Sequence, residues 1–314
     1  MAPQNITFGV ALNLESVVDM AREAEALGYD RVSIGEHLME GRPPRPTLLS
    51  IPALAAAGGA TRRIRLLTGI VLIPLYHPVM LAKLASTLDI VSGGRLDFGI
   101  GLGGQRDTRV EFEVLGIPVE ERGRRANESI RLIKRLWTEE NVTFEGRFYR
   151  CQEVTLLPHP VQKPHPPIWV AGREEAAMRR AARYGDGWYP FLYTLRRLQS
   201  SIEKIRQFAD QEGRDLSGFR WGILQPIAIA PDKADALRIA VASVGRRYAT
   251  ERMSAEDVAQ ALCITGTPQD CIKEVEARLA LGVTDIVFQF QGTLQQGWEQ
   301  MRQVAQQVIP YFRG

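Results

Sequence analysis

The chain has 314 residues, 45% of them hydrophobic and 24% charged, enough apolar material for a large core and no sign of a disordered chain. Its 39 basic and 36 acidic residues leave a formal charge of +3, too balanced for a nucleic-acid surface. The three cysteines (Cys151, Cys263, Cys271) are far apart with no CxxC, which argues against a disulfide framework or a cysteine metal site.

In chain order the pattern alternates strand and helix. Ile6 to Leu12 is a short apolar run. Leu14 to Leu27 follows with Val17, Val18, Ala21, Ala24 and Leu27 on one side, and Gly28 is placed to end the helix. Arg31 to Ile34 reads as the second strand, and residues 47 to 59 as a helix. Ile64 to Ile73 is the third strand. Pro78 opens a helix that runs to Val91, since proline is tolerated in a first helical turn. Leu96 to Ile100 is the fourth strand and Glu120 to Trp137 a long amphipathic helix. Val142 to Cys151 reads as an inserted hairpin turning at Glu145-Gly146.

Ile168 to Ala171 and Gly187 to Phe191 are strands separated by a helix from Ala176 to Tyr184. The remaining predicted units are a helix from Leu195 to Glu212, a strand from Trp221 to Ala230, and a helix from Lys233 to Tyr248. Pro268 to Leu281 is a helix, Asp285 to Phe290 the last strand, and Gln295 to Tyr311 the last helix. Eight strand-helix units, with the hairpin and residues 250 to 266 as extras, predict one (β/α)₈ TIM barrel spanning 1–314. No uncharged apolar run reaches membrane-spanning length. The opening Met-Ala-Pro-Gln-Asn lacks a signal-peptide pattern, so a cytoplasmic protein is expected.

A barrel of this kind carries its chemistry at the C-terminal ends of its strands. After strand two comes Gly35-Glu36-His37, and a histidine there can work as acid, base or donor near neutral pH. The plainer alternative is a half-buried ring bonded to Glu36 or backbone. His77, His159 and His165 sit beside prolines, and no pair has helical metal-ligand spacing, so no metal site is expected. Gly69, inside the third strand, implies either a bulge with close backbone approach or crowding within the barrel. Gly99-Ile-Gly101-Leu-Gly103-Gly104 fits G-x-G-x-x-G but lies in the fourth unit, before a poor helix start. It reads as a glycine turn at the mouth, not a Rossmann loop. Ala171-Gly172-Arg173 before a helix is either a phosphate cradle or an ordinary turn, with Glu174 and Glu175 against the cradle. Gly187-Trp188 is either pocket lining or core. Glu111 reads equally as a residue of the mouth or as a helix-start carboxylate.

These blocks carry a likeness. "AREAEALGYDRVSIGEH", "TGIVLIPLYHPVMLAKLASTLDIVSGGRLDFGIGLG", "EFEVLGIPVEERGRRANESIRLIKRLW", "PHPPIWVAG", "AARYGDGWYP" and "GTPQDCIKEVEARLALGVTDIVF" occur in family order. The chain thereby resembles the luciferase-like superfamily, particularly its F420-dependent oxidoreductases. The resemblance implies a cofactor ring set against a bulge in strand three, often with a cis non-proline peptide, here near Gly69-Ile70. His37 matches the histidine near the reactive carbon of the deazaflavin. Gly172, Arg173, Gly187 and Trp188 match the segments that hold the cofactor phosphate, and Gly103-Gly104 gives a turn that a ring or phosphate could approach.

Three positions depart from the family pattern. They are Gly41 and Gly103-Gly104-Gln105-Arg106, where relatives carry tryptophan, and Arg173, where many carry a second glycine. The implied function is hydride transfer between F420 and a small organic substrate. The alternatives are an FMN-dependent monooxygenase using reduced flavin and O₂, and a barrel that has lost catalysis. A homodimer is implied by the same resemblance. Loops 38–47, 103–117 and 190–195 are expected to border the pocket.

Overall fold

The apolar runs assemble into one closed parallel sheet in the computed structural model, which describes residues 6–41, 44–103 and 108–314. The strands are β1 (Thr7–Ala11), β2 (Arg31–Ile34), β3 (Arg65–Thr68), β4 (Leu96–Gly101), β5 (Ile168–Val170), β6 (Gly187–Trp188), β7 (Arg220–Ile229) and β8 (Asp285–Phe290). Each pairs in parallel with the next, and β8 returns to β1. All eight are those read from the sequence, so the TIM barrel is observed. Their helices include α1 (Val17–Ala26), α2 (Ser50–Ala60), α3 (Pro78–Val91), α4 (Arg109–Val114), α5 (Arg122–Thr138), α6 (Glu175–Tyr184), α7 (Leu195–Gln211) and α8 (Lys233–Ala240). The hairpin pairs Val142–Glu145 with Arg150–Val154 outside the barrel.

Several element bounds differ from the sequence reading, and three of the differences have a clear local reason. The third strand is not continuous from Ile64 to Ile73. Leu67 lies opposite Asp97, but Val71 lies opposite Ile100, so β3 spends three residues where β4 spends two. That is a β-bulge, and the Gly69–Ile70 peptide within it is cis. Helix α2 begins at Ser50 instead of residue 47, because the Glu36 carboxyl accepts both the Ser50 amide at 3.1 Å and its hydroxyl at 2.9 Å. An acidic group at a helix start also suits the helix dipole. The last helix breaks at Val308, two residues before Pro310, which has no N–H to continue the ladder.

The interior is layered. At the N-terminal end Arg31 and Asp285, both almost fully buried, pair at 2.9 Å, with Asp97 3.7 Å from Arg31. Arg65 closes on Asp97 and Arg220 on Asp285, each at 2.6 Å. The Arg31 guanidinium stacks over Trp169 at 4.9 Å. Above this ionic layer, Leu67, Trp169, Tyr189 and Val287 fill the barrel, with Ala11, Ile70 and Leu224 packed against them. A side chain larger than hydrogen at Gly99 would meet the Thr68 carbonyl at 1.9 Å. Gly99→Ala therefore has no room without displacing the bulge. Overpacking of this kind costs about 1–3 kcal/mol, and thermal unfolding of the variant should show the loss.

On one side the wall stands higher. β7 has ten residues, and beyond its pairing with β6 its far end pairs with the extra strand Ile264–Gly266. A separate apolar cluster of Leu192, Ala228, Ala240, Val244, Ala259 and Cys263 backs that wall. No helix of the described residues is long and apolar enough to cross a membrane.

Candidate active site

The strands' C-terminal ends surround a hollow. Ala11, Gly69, Ile70, Ala171, Leu224 and Gln289 keep partial exposure and Gly35 is exposed, while Leu67, Trp169, Tyr189 and Val287 beneath them are buried. The hollow thus has an apolar floor and a rim of small or aliphatic groups apart from Gln289. A Cβ on Gly35 would sit 2.8 Å from the Gly69 carbonyl oxygen, and one on Gly69 would strike the Ser33 hydroxyl. Glycine at both positions lets β2 and the bulge approach backbone to backbone.

His37 stands on the rim, two residues after Gly35, with its side chain 27% exposed. Its partner is Glu111 of α4, not Glu36. The ring Nδ1 lies 3.1 Å from Glu111 Oε2 and 3.3 Å from Oε1. Glu111 is fully buried and also accepts the Leu38 amide at 2.5 Å and the Met39 amide at 3.2 Å. Of the two readings open for Glu111, the structure realises the one in which it reaches the mouth. Glu36 turns the other way. Beyond Ser50 it accepts the Leu72 amide at 2.9 Å, so it ties the β2 loop to the strand after the bulge. Burial pushes its carboxyl above the ordinary range, against these hydrogen bonds. Glu40, further along the loop, receives Arg45 and Arg247, both at 2.9 Å.

The turn after β5 also reaches the rim. Gly172 adopts φ +127, and a Cβ there would clash with Ala177, so only glycine fits. Its carbonyl accepts the Trp188 indole N–H at 3.3 Å; the Arg173 carbonyl accepts Tyr193 Oη at 3.4 Å and Arg197 at 3.1 Å. The turn is thereby fastened from behind, with the Arg173 side chain exposed. Gly103, at φ +60, leaves β4 towards the same rim.

His37, Gly69, Ile70, Gly103, Gly172 and Arg173 are therefore brought together at one end of the barrel. Gly187 and Trp188 are not. Gly187 lies in the lower wall, level with Arg220, where its missing side chain makes room for the Trp169 ring at 2.8 Å. Trp188 is wholly buried, edge-on to Tyr193, and braces Gly172 without facing the hollow. Gly104 lies outside the described residues. Sequence reasoning gave Gly35 no role and did not single out Ser33 and Tyr189, which also lie at the bulge. The Tyr189 hydroxyl sits 3.4 Å from Ser33 Oγ just under the bulge, and burial holds its phenol well above the usual range. A serine between Val32 and Ile34 in the four-residue β2 was the available signal. Among the described residues no cluster of His, Cys, Asp or Glu could hold a metal ion.

The sequence pattern of the luciferase-like monooxygenases matches residues 3–285. The chain belongs to that family. A similar curated protein is the F420-dependent glucose-6-phosphate dehydrogenase of Nakamurella multipartita, 28% identical over all of this chain and 98% of its own length. The FMNH2-dependent dimethylsulfone monooxygenase of Pseudomonas putida is 33% identical over 157 residues, covering 49% of this chain and 42% of its own. Among solved structures, the monooxygenase RslO1 from Streptomyces bottropensis superposes with a TM-score of 0.81 at 27% identity, covering 98% of this chain and all of that one. An F420-dependent secondary alcohol dehydrogenase bound to an F420-acetone adduct gives 0.84 at 20% identity, covering 99% and 100%, and shares the fold. This luciferase-like barrel is an oxidoreductase.

Proposed function

We propose that this luciferase-like enzyme transfers hydride between deazaflavin F420 and a small organic substrate, with His37 exchanging the accompanying proton. The observation that carries the reading is the convergence of His37 and the bulge at Gly69–Ile70 on one hollow with an apolar floor. A planar aromatic ring fits such a hollow, since flat backbone and aliphatic contacts can cover its faces. The full-length similarity to an F420-dependent dehydrogenase supports the same cofactor. When bound, F420 supplies a ring carbon that gives or takes hydride.

The protein's part is to bind and orient. Gly69 and Ile70 would back the ring, and Gly103, Gly172 and Arg173 would lie along the path of the phosphate-bearing chain. The opening turn of α6 offers amide groups there, although Glu174 and Glu175 at that turn oppose an anion. The reading also takes the enzyme to be a homodimer, as the resemblance implies, and to be cytoplasmic.

A specific observation favours FMN as the second reading: the half-chain match at 33% to an FMNH2-dependent monooxygenase. Titrating the purified protein with each cofactor decides between them. Tight F420 binding with feeble FMN binding is the expected result. Preference for reduced FMN would replace the proposal with an oxygenase, and no binding of either at millimolar concentration would leave a barrel without redox chemistry.

A further inference from the structure

We propose that Glu111 is a positioning residue that fixes His37 as its Nδ1–H tautomer, so that Nε2 is the nitrogen that exchanges a proton with the substrate. The inference deepens the function proposed above and takes its chemical meaning from it.

Two backbone amides and one ring nitrogen converge on one fully buried carboxyl group. The amides are those of Leu38 and Met39, which can only donate, and both go to Oε1. The third neighbour is His37 Nδ1, closest to Oε2 at 3.1 Å. A carboxylate is an acceptor only, and a neutral imidazole carries one N–H and one lone pair. If Nδ1 holds the hydrogen that faces Glu111, the lone pair lies on Nε2, across the ring. Among the described residues Nε2 has no hydrogen-bond partner, which is the condition for a group that must meet a substrate.

Among the described residues no other acid is hydrogen-bonded to Nδ1. Glu36, next in sequence, is engaged by Ser50 and Leu72, and Glu40 by Arg45 and Arg247. When Nε2 takes a proton from the substrate, the positive charge forms beside a buried carboxylate; when Nε2 gives it back, the Nδ1 hydrogen stays where it was. The same carboxyl group holds the amides of the two residues after His37, so one side chain sets both the tautomer and the turn that aims the ring.

The test needs no cofactor. Protein labelled with ¹⁵N-histidine is studied by NMR at a pH where His37 is neutral, with the His37 signals assigned by their loss in His37→Gln. A protonated Nδ1 and an unprotonated Nε2 are expected in the wild type. In Glu111→Gln the side-chain oxygen can still accept the Leu38 and Met39 amides, but the NH₂ now faces Nδ1 and donates to it, so the tautomer should invert to Nε2–H. Cofactor-loaded Glu111→Gln should lose about 100-fold or more in kcat with KM little changed, because the proton-exchanging nitrogen is then already occupied.

A wild-type spectrum with the hydrogen on Nε2 overturns the proposal, and so does a variant whose tautomer is unaltered. Should Glu111→Gln not fold, the wild-type spectrum alone decides. If neither cofactor binds while the Nδ1–H form is seen, the proposed function fails and the tautomer assignment stands.

Discussion

His37→Ala is expected to leave the barrel folded and to slow single-turnover hydride transfer by about 10²–10⁴-fold, the range for loss of a positioned proton-transfer group. The ring lies on the rim and is partly exposed, so its removal opens no core cavity. Glu111 loses its His37 neighbour but keeps the Leu38 and Met39 amides, so the melting temperature should fall only slightly. A rapid-quench or stopped-flow measurement with cofactor already bound separates chemistry from binding. An unchanged rate would remove His37 from the reaction and leave the bulge to act by binding alone.

Asp285→Asn should be the most damaging single change away from the mouth. Asp285 is 1% exposed and answers Arg31, which is 4% exposed, and Arg220. It also accepts the Thr7 and Thr284 hydroxyls. Asparagine keeps the shape but leaves the Arg31 charge short of a partner in the barrel interior, a loss of about 3–5 kcal/mol when a buried pair is broken. Urea unfolding at neutral pH would measure it.

The pH dependence has a definite sign. Burial alone would raise the Asp285 carboxyl, but Arg31 and Arg220 outweigh burial and hold it below the ordinary value. Its contribution is therefore complete above the unfolded-state value of about 4 and is lost as pH falls through the lower folded-state value. Wild-type stability should decline in that acid window, and the Asp285→Asn profile should be flatter there.

The barrel was legible because it rests on repetition. Eight apolar runs alternating with amphipathic helices admit few other arrangements, and Asp285–Phe290 was delimited from its pattern alone. The bulge was legible in place, through Gly69 in an apolar strand, but its register shift depends on the neighbouring strand. The site was harder. His37 was found because a histidine after a strand is rare in this chain. Its partner lies 74 positions away, and nothing local tells a helix-start glutamate that caps from one that turns inward. Gly187 was hard to place because glycine has two uses: at Gly69 it lets two backbone segments approach, and at Gly187 it makes room for the Trp169 ring of the neighbouring strand β5. Only the level of the residue along the barrel axis separates them.

The unequal height of the wall has a consequence for who can enter. From Leu224, where Phe191 bridges to it, β7 climbs five more residues, about 16 Å of strand, while the opposite rim ends in glycine turns. The extension of β7 screens the mouth on that side. The tall side is packed on an apolar nucleus of its own, so its inner surface can be recontoured without loosening the barrel below. Descendants of this scaffold can thus acquire new guests by editing the backrest while the seat stays fixed.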